Sequence, residues 1–308
     1  MNNKIIIAGG SGFLGQALAP ALIERGYEVT VLGRGAAARR GGVQHLQWDG
    51  RTLEGWAAAV DGAKAVVNLT GKSVNVRHTA ENKHEIIGSR IDSVRVLGAA
   101  IARCANPPQA FVQASGIGFY GDTGDLTVDE TAPVGSDFMA DVCQQWEGAL
   151  DALPIPATRK VVLRLGVVLG RNGGALQLLE KLTRLFAGGA VGSGRQFVSW
   201  IHIADAVRIF VAAIEQPEIL GTFNATAPEP VTNAELMREL RRTLHRPWSP
   251  PVPAPFARLG AWLMGSEGDL ALLSYRCAPR RIAEHGFTFQ FPTLNTALGD
   301  LYGMDKPA

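Results

Sequence analysis

The run Gly9-Gly10-Ser11-Gly12-Phe13-Leu14-Gly15 has the residue types and spacing of a turn that cradles phosphates. It follows a short apolar, β-branched segment, Lys4 to Ala8, and opens a stretch of helical spacing that runs from Phe13 to Arg25 and stops at Gly26. In that context Gly9 permits a tight turn, Gly12 lets a pyrophosphate approach the backbone, and Gly15 lets the helix pack on the sheet. The helix start adds amide donors and a positive dipole end. The competing reading is a glycine-rich turn with no ligand. The next strand, Glu28 to Leu32, is followed by Gly33 and Arg34, where an NAD-binding fold carries an Asp or Glu for the ribose hydroxyl. With the acid replaced by a guanidinium, a 2′-phosphate is the better partner, so the cofactor expected is NADP(H), with Arg39 or Arg40 assisting from the following loop. Otherwise Arg34 is a solvated surface residue.

A second set of candidates lies between Ser115 and Gly121, at the carboxyl end of the strand candidate Ala110 to Ala114. Open α/β sheets bind their ligands at that end. Ser115 is expected to orient a substrate carbonyl by hydrogen bonding, although a hydroxyl without a partner is no acid at neutral pH. Tyr120, or a water, is the candidate proton donor; the alternative for Tyr120 is a packing aromatic with its hydroxyl satisfied. Cys143 reads as a small buried hydrophobe. His202 reads as a hydrogen-bonded structural imidazole, and Asp205 as a helix cap. No set of His and carboxylate residues has the spacing of a metal site, so no metal is expected.

These residues need a scaffold, and the pattern supplies one. Strand candidates at Lys4 to Ala8, Glu28 to Leu32, Ala65 to Leu69, Ala110 to Ala114 and Lys160 to Arg164 alternate with helical stretches. One of these, Ile86 to Arg103, carries apolar residues at Ile87, Ile91, Val94, Leu97 and Ile101. Pro20 inside the first helix is expected to bend it. Such alternation implies an α/β fold, a Rossmann-like doubly wound parallel sheet covered on both faces. After Gly166 the rhythm loosens into glycine-rich loops, and prolines crowd at Pro247, Pro250, Pro251, Pro253 and Pro255. The organisation expected is a dinucleotide-binding domain over 1–165, rejoined by about 200–227, and a smaller, irregular substrate or C-terminal region over 166–199 and 228–308.

The chain has 308 residues, 46% of them hydrophobic and 19% charged, a balance that excludes a disordered or coiled-coil protein. With 30 basic and 28 acidic side chains the net charge is +2, which gives no reason to expect a nucleic acid or a membrane surface as partner. The three cysteines, Cys104, Cys143 and Cys277, form no Cys-x-x-Cys pair, in keeping with a reducing compartment. No apolar run approaches the roughly 18 residues that span a bilayer, so the expected location is cytoplasmic. Oligomeric state is not legible.

The glycine loop, Asn68-Leu-Thr-Gly71, Ser115 to Gly121, Arg164-Leu-Gly-Val-Val-Leu-Gly170, and Gly192-Ser-Gly-Arg-Gln196 leading to Trp200-Ile-His-Ile-Ala-Asp205 together resemble the extended short-chain dehydrogenase/reductase superfamily over nearly the whole chain. The likeness is greatest to its atypical branch of NAD-dependent epimerase/dehydratase-like proteins, also labelled putative cell-division inhibitors, with an uncharacterised C-terminal domain. The resemblance implies cofactor contacts from Ser11, Gly12, Phe13, Leu14, Gly33 and Arg34, with Leu69, Thr70 and Gly71 beside the adenine-ribose side and Ser115 near the nicotinamide. It implies that Glu85 and Arg90 line the cofactor; the alternative is a surface ion pair between them. It also implies that Arg195 and Gln196 grip a small polar substrate, with Trp200 as an aromatic surface.

The superfamily's usual catalyst is a Tyr assisted by a Lys four residues later, whose ammonium lowers the phenol pKa. Here Val142 and Trp146 stand at those positions, and the chain has no lysine between Lys83 and Lys160 and no tyrosine between Tyr120 and Tyr275. The spacing of Tyr302 and Lys306 at the carboxyl end reads as coincidence. Two functions follow as expectations: an NADP(H)-dependent oxidoreductase or nucleotide-sugar epimerase-like protein without that pair, or a catalytically silent protein that senses NADP(H). A DNA-associated division regulator rests on the label alone.

Overall fold

The structure, a computed structural model, describes residues 3–303. Strand β1 (Lys4–Ala8) leads through the glycine turn into α1 (Phe13–Glu24). The chain continues as β2 (Glu28–Gly33), β3 (Ala38–Arg40), β4 (Val43–Gln47), β5 (Ala65–Asn68), α2 (Ala80–Ile101), β6 (Ala110–Gly116), α3 (Phe138–Asp151) and β7 (Arg159–Leu165). A less regular stretch follows: β8 (Val167–Leu169), α4 (Gly174–Arg184), β9 (Phe197–Val198), β10 (Trp200–His202), α5 (Ile203–Glu215), β11 (Gly221–Ala225), β12 (Val231–Thr232), α6 (Asn233–Thr243), α7 (Ala254–Leu263), α8 (Arg280–Glu284) and α9 (Leu294–Tyr302).

The main sheet has eight strands in the order β11-β7-β6-β5-β1-β2-β4-β3. Its pairings are parallel except that of β3 with β4. Because β2 lies on one side of β1 and β5 on the other, the winding reverses at β1, and the carboxyl ends of β1 and β5 border the crevice where such sheets take ligands. Ile5, Ile6, Ile7, Val66, Val67 and Phe111 are fully buried, as strands covered on both faces require. Helix α1 packs beside α5, and α2 beside α3. Strand β11 returns from beyond the irregular stretch to pair with β7, from Gly221 opposite Val161 to Ala225 opposite Leu165. A second buried cluster, with Trp200 inside it, joins Leu176 of α4, Leu236 and Leu240 of α6, and Leu294 and Leu298 of α9.

Two local expectations change, the start of α2 and the place of Arg39 and Arg40. Helix α2 begins at Ala80 rather than near Ile86, because the Thr79 hydroxyl accepts the Asn82 amide and caps a polar first turn that no apolar stripe announces. Helix α1 runs unbroken through Pro20, which is exposed, so the backbone bond it lacks lies on the solvent side. Arg39 and Arg40 lie on the edge strand β3, not in a loop. Among the described residues no helix is long and apolar enough to cross a membrane, and no group of three or more His, Cys, Asp or Glu could hold a metal ion. Lys306 lies outside the described residues; the Tyr302 hydroxyl donates to Glu180 Oε2 at 2.8 Å.

Candidate functional site

The glycine turn is shaped by what has no room for a side chain. Gly9 has φ +74°, and a Cβ there would stand 3.0 Å from the Leu69 carbonyl carbon and from the Thr70 nitrogen and hydroxyl, so the turn after β1 touches the turn after β5. A Cβ on Gly15 would come within 2.4 Å of Gly10, which locks the first turn of α1 onto the loop backbone. A Cβ on Gly12, by contrast, would meet only the Gly9 oxygen at 3.4 Å. Gly12 is the N-cap of α1, and no side chain caps the helix, so its first amides remain available to an anion. The Phe13 ring does not face that space. It lies under the turn after β8, where a Cβ on Gly170 or Gly173 would be 2.7 or 2.8 Å from it. Phe13 can therefore offer a ligand only its backbone, and Leu14 is half-buried against the main core.

At the end of β2 the Ser11 hydroxyl faces Gly33, 3.6 Å from where a Cβ would be. Arg34 follows, exposed, with no ion pair or side-chain hydrogen bond among the described residues. No acid accompanies it there.

Beyond β5, buried Asn68 donates to the Ser93 hydroxyl at 3.1 Å and accepts from the Thr70 amide at 3.1 Å. The Thr70 hydroxyl is buried without a partner. A Cβ on Gly71 would stand 2.8 Å from the Arg90 guanidinium carbon. Arg90 Nη1 donates to the Lys72 and Ile86 carbonyls at 3.0 and 2.9 Å, and its guanidinium lies 4.9 Å over the Trp146 ring. Its Nε is buried with no partner, and burial pushes its pKa down to about 10. The alternative for these two residues, an ion pair between Glu85 and Arg90, is not formed: Glu85 pairs with Lys72, which holds its carboxyl below the usual range.

At the carboxyl ends of β6 and β7 the polar groups satisfy one another. The Ser115 hydroxyl donates to Glu147 Oε1 at 2.6 Å, and Arg164 grips the same carboxylate with Nε and Nη2 at 2.9 and 2.7 Å. Arg164 Nη1 donates to the Tyr120 oxygen at 2.9 Å, and the Tyr120 hydroxyl donates to Asn224 Oδ1 at 2.7 Å. Tyr120 is buried, and burial pushes its phenol up to about 12. This geometry corrects the expectation of Tyr120 as proton donor, because its hydrogen is directed into the protein. It revises Ser115 as well, whose hydrogen belongs to Glu147. Glu147 and Arg164 were missed as a pair, although a lone arginine ending the buried run of β7 is a signal that an acid must face it. Val142 and Trp146 are buried on α3. Cys143 is buried too, and burial followed by the Glu147 charge pushes its thiol up to about 11, which leaves it inert.

The second region divides the same way. Arg195 is exposed, but Gln196 Nε2 donates to the Val191 and Ala271 carbonyls, both at 3.0 Å. Trp200 is completely buried and its indole donates to the Glu229 carbonyl at 3.0 Å, so it is core and not a substrate surface. His202 caps α5 through Nδ1, 3.1 Å from the Ala204 amide. Asp205 does not cap; it accepts the Gln290 and Phe291 amides, both at 2.9 Å, and fastens the C-terminal segment to α5.

The NAD dependent epimerase/dehydratase family matches residues 5–225, and a domain of unknown function, DUF1731, matches residues 252–301. The chain is 36% identical over 304 residues to the epimerase family protein SDR39U1 of Bos taurus, covering 97% of this chain and 99% of that one. It is 34% identical over 305 residues to the epimerase family protein YfhF of Bacillus subtilis (strain 168), covering 97% of each. The crystal structure of human epimerase family protein SDR39U1 (isoform 2) with NADPH superposes with a TM-score of 0.87 at 33% identity, over 97% of this chain and 99% of that one.

Proposed function

The chain belongs to the NAD dependent epimerase/dehydratase family, and from that premise we propose that it is an NADP(H)-dependent oxidoreductase or epimerase-like protein. The dinucleotide lies across the β1 and β5 turns, and a small polar substrate lies between the sheet and the C-terminal region. The observation that carries this reading is the end of β2, where the Ser11 hydroxyl and the unpaired, exposed Arg34 flank Gly33 with no acid beside them. The solved human relative, crystallised with NADPH, supports the same cofactor. The residues fit the group: the space over Gly12 is open, and the Thr70 hydroxyl and Arg90 Nε are buried polar atoms that lack protein partners. When bound, the nicotinamide supplies or accepts hydride.

The rest is done by the chain. The amides of Phe13 to Gly15 hold the pyrophosphate, the Gly12 amide being engaged by the Gly9 carbonyl at 3.1 Å, and Ser11 and Arg34 hold the 2′-phosphate. Leu69 and Thr70 line the path between them, with Gly71 letting Arg90 approach. Trp146 occupies the position at which the superfamily's lysine is expected, and Arg90, stacked on that ring from α2, supplies the positive charge there instead. Ser115, oriented by Glu147, offers lone pairs rather than a proton. A second reading, a silent protein that senses NADP(H), draws on the same closed network of Ser115, Glu147, Arg164 and Tyr120, which leaves neither hydroxyl free to donate.

A fluorescence titration with NADPH and NADH at one ionic strength tests the cofactor assignment. NADPH is expected to bind more tightly, and Arg34→Ala to remove about 10- to 100-fold of that affinity, the worth of charge-assisted bonds. Equal affinity for both nucleotides, or none for either, overturns it. Steady NADPH oxidation with a carbonyl or nucleotide-sugar substrate, lost in Gly12→Val, eliminates the silent reading.

A further inference from the structure

We propose that Tyr275, carried by the C-terminal region, stands at the substrate end of the cleft as a neutral hydrogen-bond donor to an oxygen of the substrate. The proposal rests on the dinucleotide reading above and assigns the phenol that α3 lacks.

Residues 274–278 form an extended segment stitched along both edges. On one edge the Tyr275 amide donates to the Phe197 carbonyl at 2.9 Å, the Cys277 amide donates to the Ser199 hydroxyl at 2.8 Å, and that hydroxyl donates to the Tyr275 carbonyl at 2.9 Å. On the other edge the Thr123 and Val128 amides donate to the Ser274 and Arg276 carbonyls, and the Ala278 amide donates to the Val128 carbonyl. In an extended chain residues two apart share a face. Cys277 accordingly forms a buried cluster with Ile117 and Tyr120, in the turn that immediately follows Ser115 and Gly116, and Tyr275 packs against that cluster. The backbone is held too firmly for this tyrosine to be an adventitious surface ring.

The hydroxyl is what distinguishes it. Of the four tyrosines, Tyr27 bonds Glu215, Tyr120 bonds Asn224 and Arg164, and Tyr302 bonds Glu180. The Tyr275 hydroxyl has no partner among the described residues, nor is it among the sealed polar atoms, so the half-buried ring carries a hydroxyl that the protein neither satisfies nor fully encloses. Burial pushes its pKa up, and the groups around it, the Asp137 and Asp122 carboxylates and the Cys143 and Cys277 thiols, push it further the same way. The phenol therefore stays protonated and acts by donating, stabilising negative charge that develops on a substrate oxygen, rather than by the lysine-assisted proton transfer of the superfamily.

The test uses the full chain with 3-fluorotyrosine at position 275, observed by fluorine NMR with NADPH and then NADP+ as probes, nicotinamide fluorescence reporting binding in the same samples. The resonance is expected to be that of the neutral phenol at a pH where free 3-fluorotyrosine is ionised, and to move by more than its linewidth between the NADPH and NADP+ complexes, which differ by one hydride on the nicotinamide and hence in the charge of that ring. An ionised phenol at that pH, or a resonance indifferent to the ring's oxidation state while NADPH binds, overturns Tyr275 and leaves the cofactor reading intact. Absence of nucleotide binding overturns both. Tyr275→Phe keeps the ring packing and serves as the folding control.

Discussion

The two ends of the crevice handle polar side chains in opposite ways. Around β1, β2 and β5 the groups that matter are left open: the cap of α1 without a side chain, Arg34 without an acid, the Thr70 hydroxyl without a partner. Around β6, β7 and β11 the groups are closed on one another, from Ser115 through Glu147 and Arg164 to Tyr120 and Asn224. Residue type alone does not separate them, since both ends carry serine and arginine. What separates them is whether a polar group has already found a partner within the protein. A closed set holds the strands together, and an open set is free to bind.

The comparison breaks most visibly if the closed end is opened. Glu147→Ala leaves the Arg164 guanidinium buried without its carboxylate, and urea denaturation is expected to show a loss of about 3–5 kcal/mol. A loss under about 1 kcal/mol would mean that the network is not structural. Tyr120→Phe removes one hydroxyl between Arg164 and Asn224 and is expected to cost about 1–3 kcal/mol of stability, with NADPH affinity changed less than about twofold. A large affinity loss without destabilisation would instead return Tyr120 to the ligand site. Arg34→Ala should do the reverse, leaving the melting curve in place while NADPH affinity falls by about 10- to 100-fold.

The smallest effect concerns pH. Burial holds the His202 pKa below its ordinary 6.5 despite the Asp300 and Asp205 charges nearby. The unfolded chain therefore takes up the proton first, and stability falls as pH drops through about 6.5, by less than about 1.4 kcal/mol per pH unit, the limit for one proton. His202→Gln, compared with wild type by denaturation at a series of pH values from neutral downward, should flatten that part of the slope. An unchanged slope would show that another group carries it.

The sequence by itself determined the scaffold and the shape of the glycine turn. The apolar β-branched runs at Lys4 to Ala8 and Ala65 to Asn68 are strands because only a sheet covered on both faces buries them, and Gly9 and Gly15 follow from contacts within one turn and its neighbour. Apolar runs and glycine spacing are written in short stretches of chain, so they are legible there even where, as at Gly9, the contact that requires them is with distant Leu69 and Thr70. Tertiary structure alone decided the other end. Tyr120 and Asn224 meet across 104 positions of chain, Phe13 finds its seat under Gly170 and Gly173, Trp200 goes inward, and Tyr275 arrives from the C-terminal region. Whether a hydroxyl or a guanidinium is free depends on which distant segment packs against it, and that is settled by the burial of the whole core rather than by any neighbour in sequence.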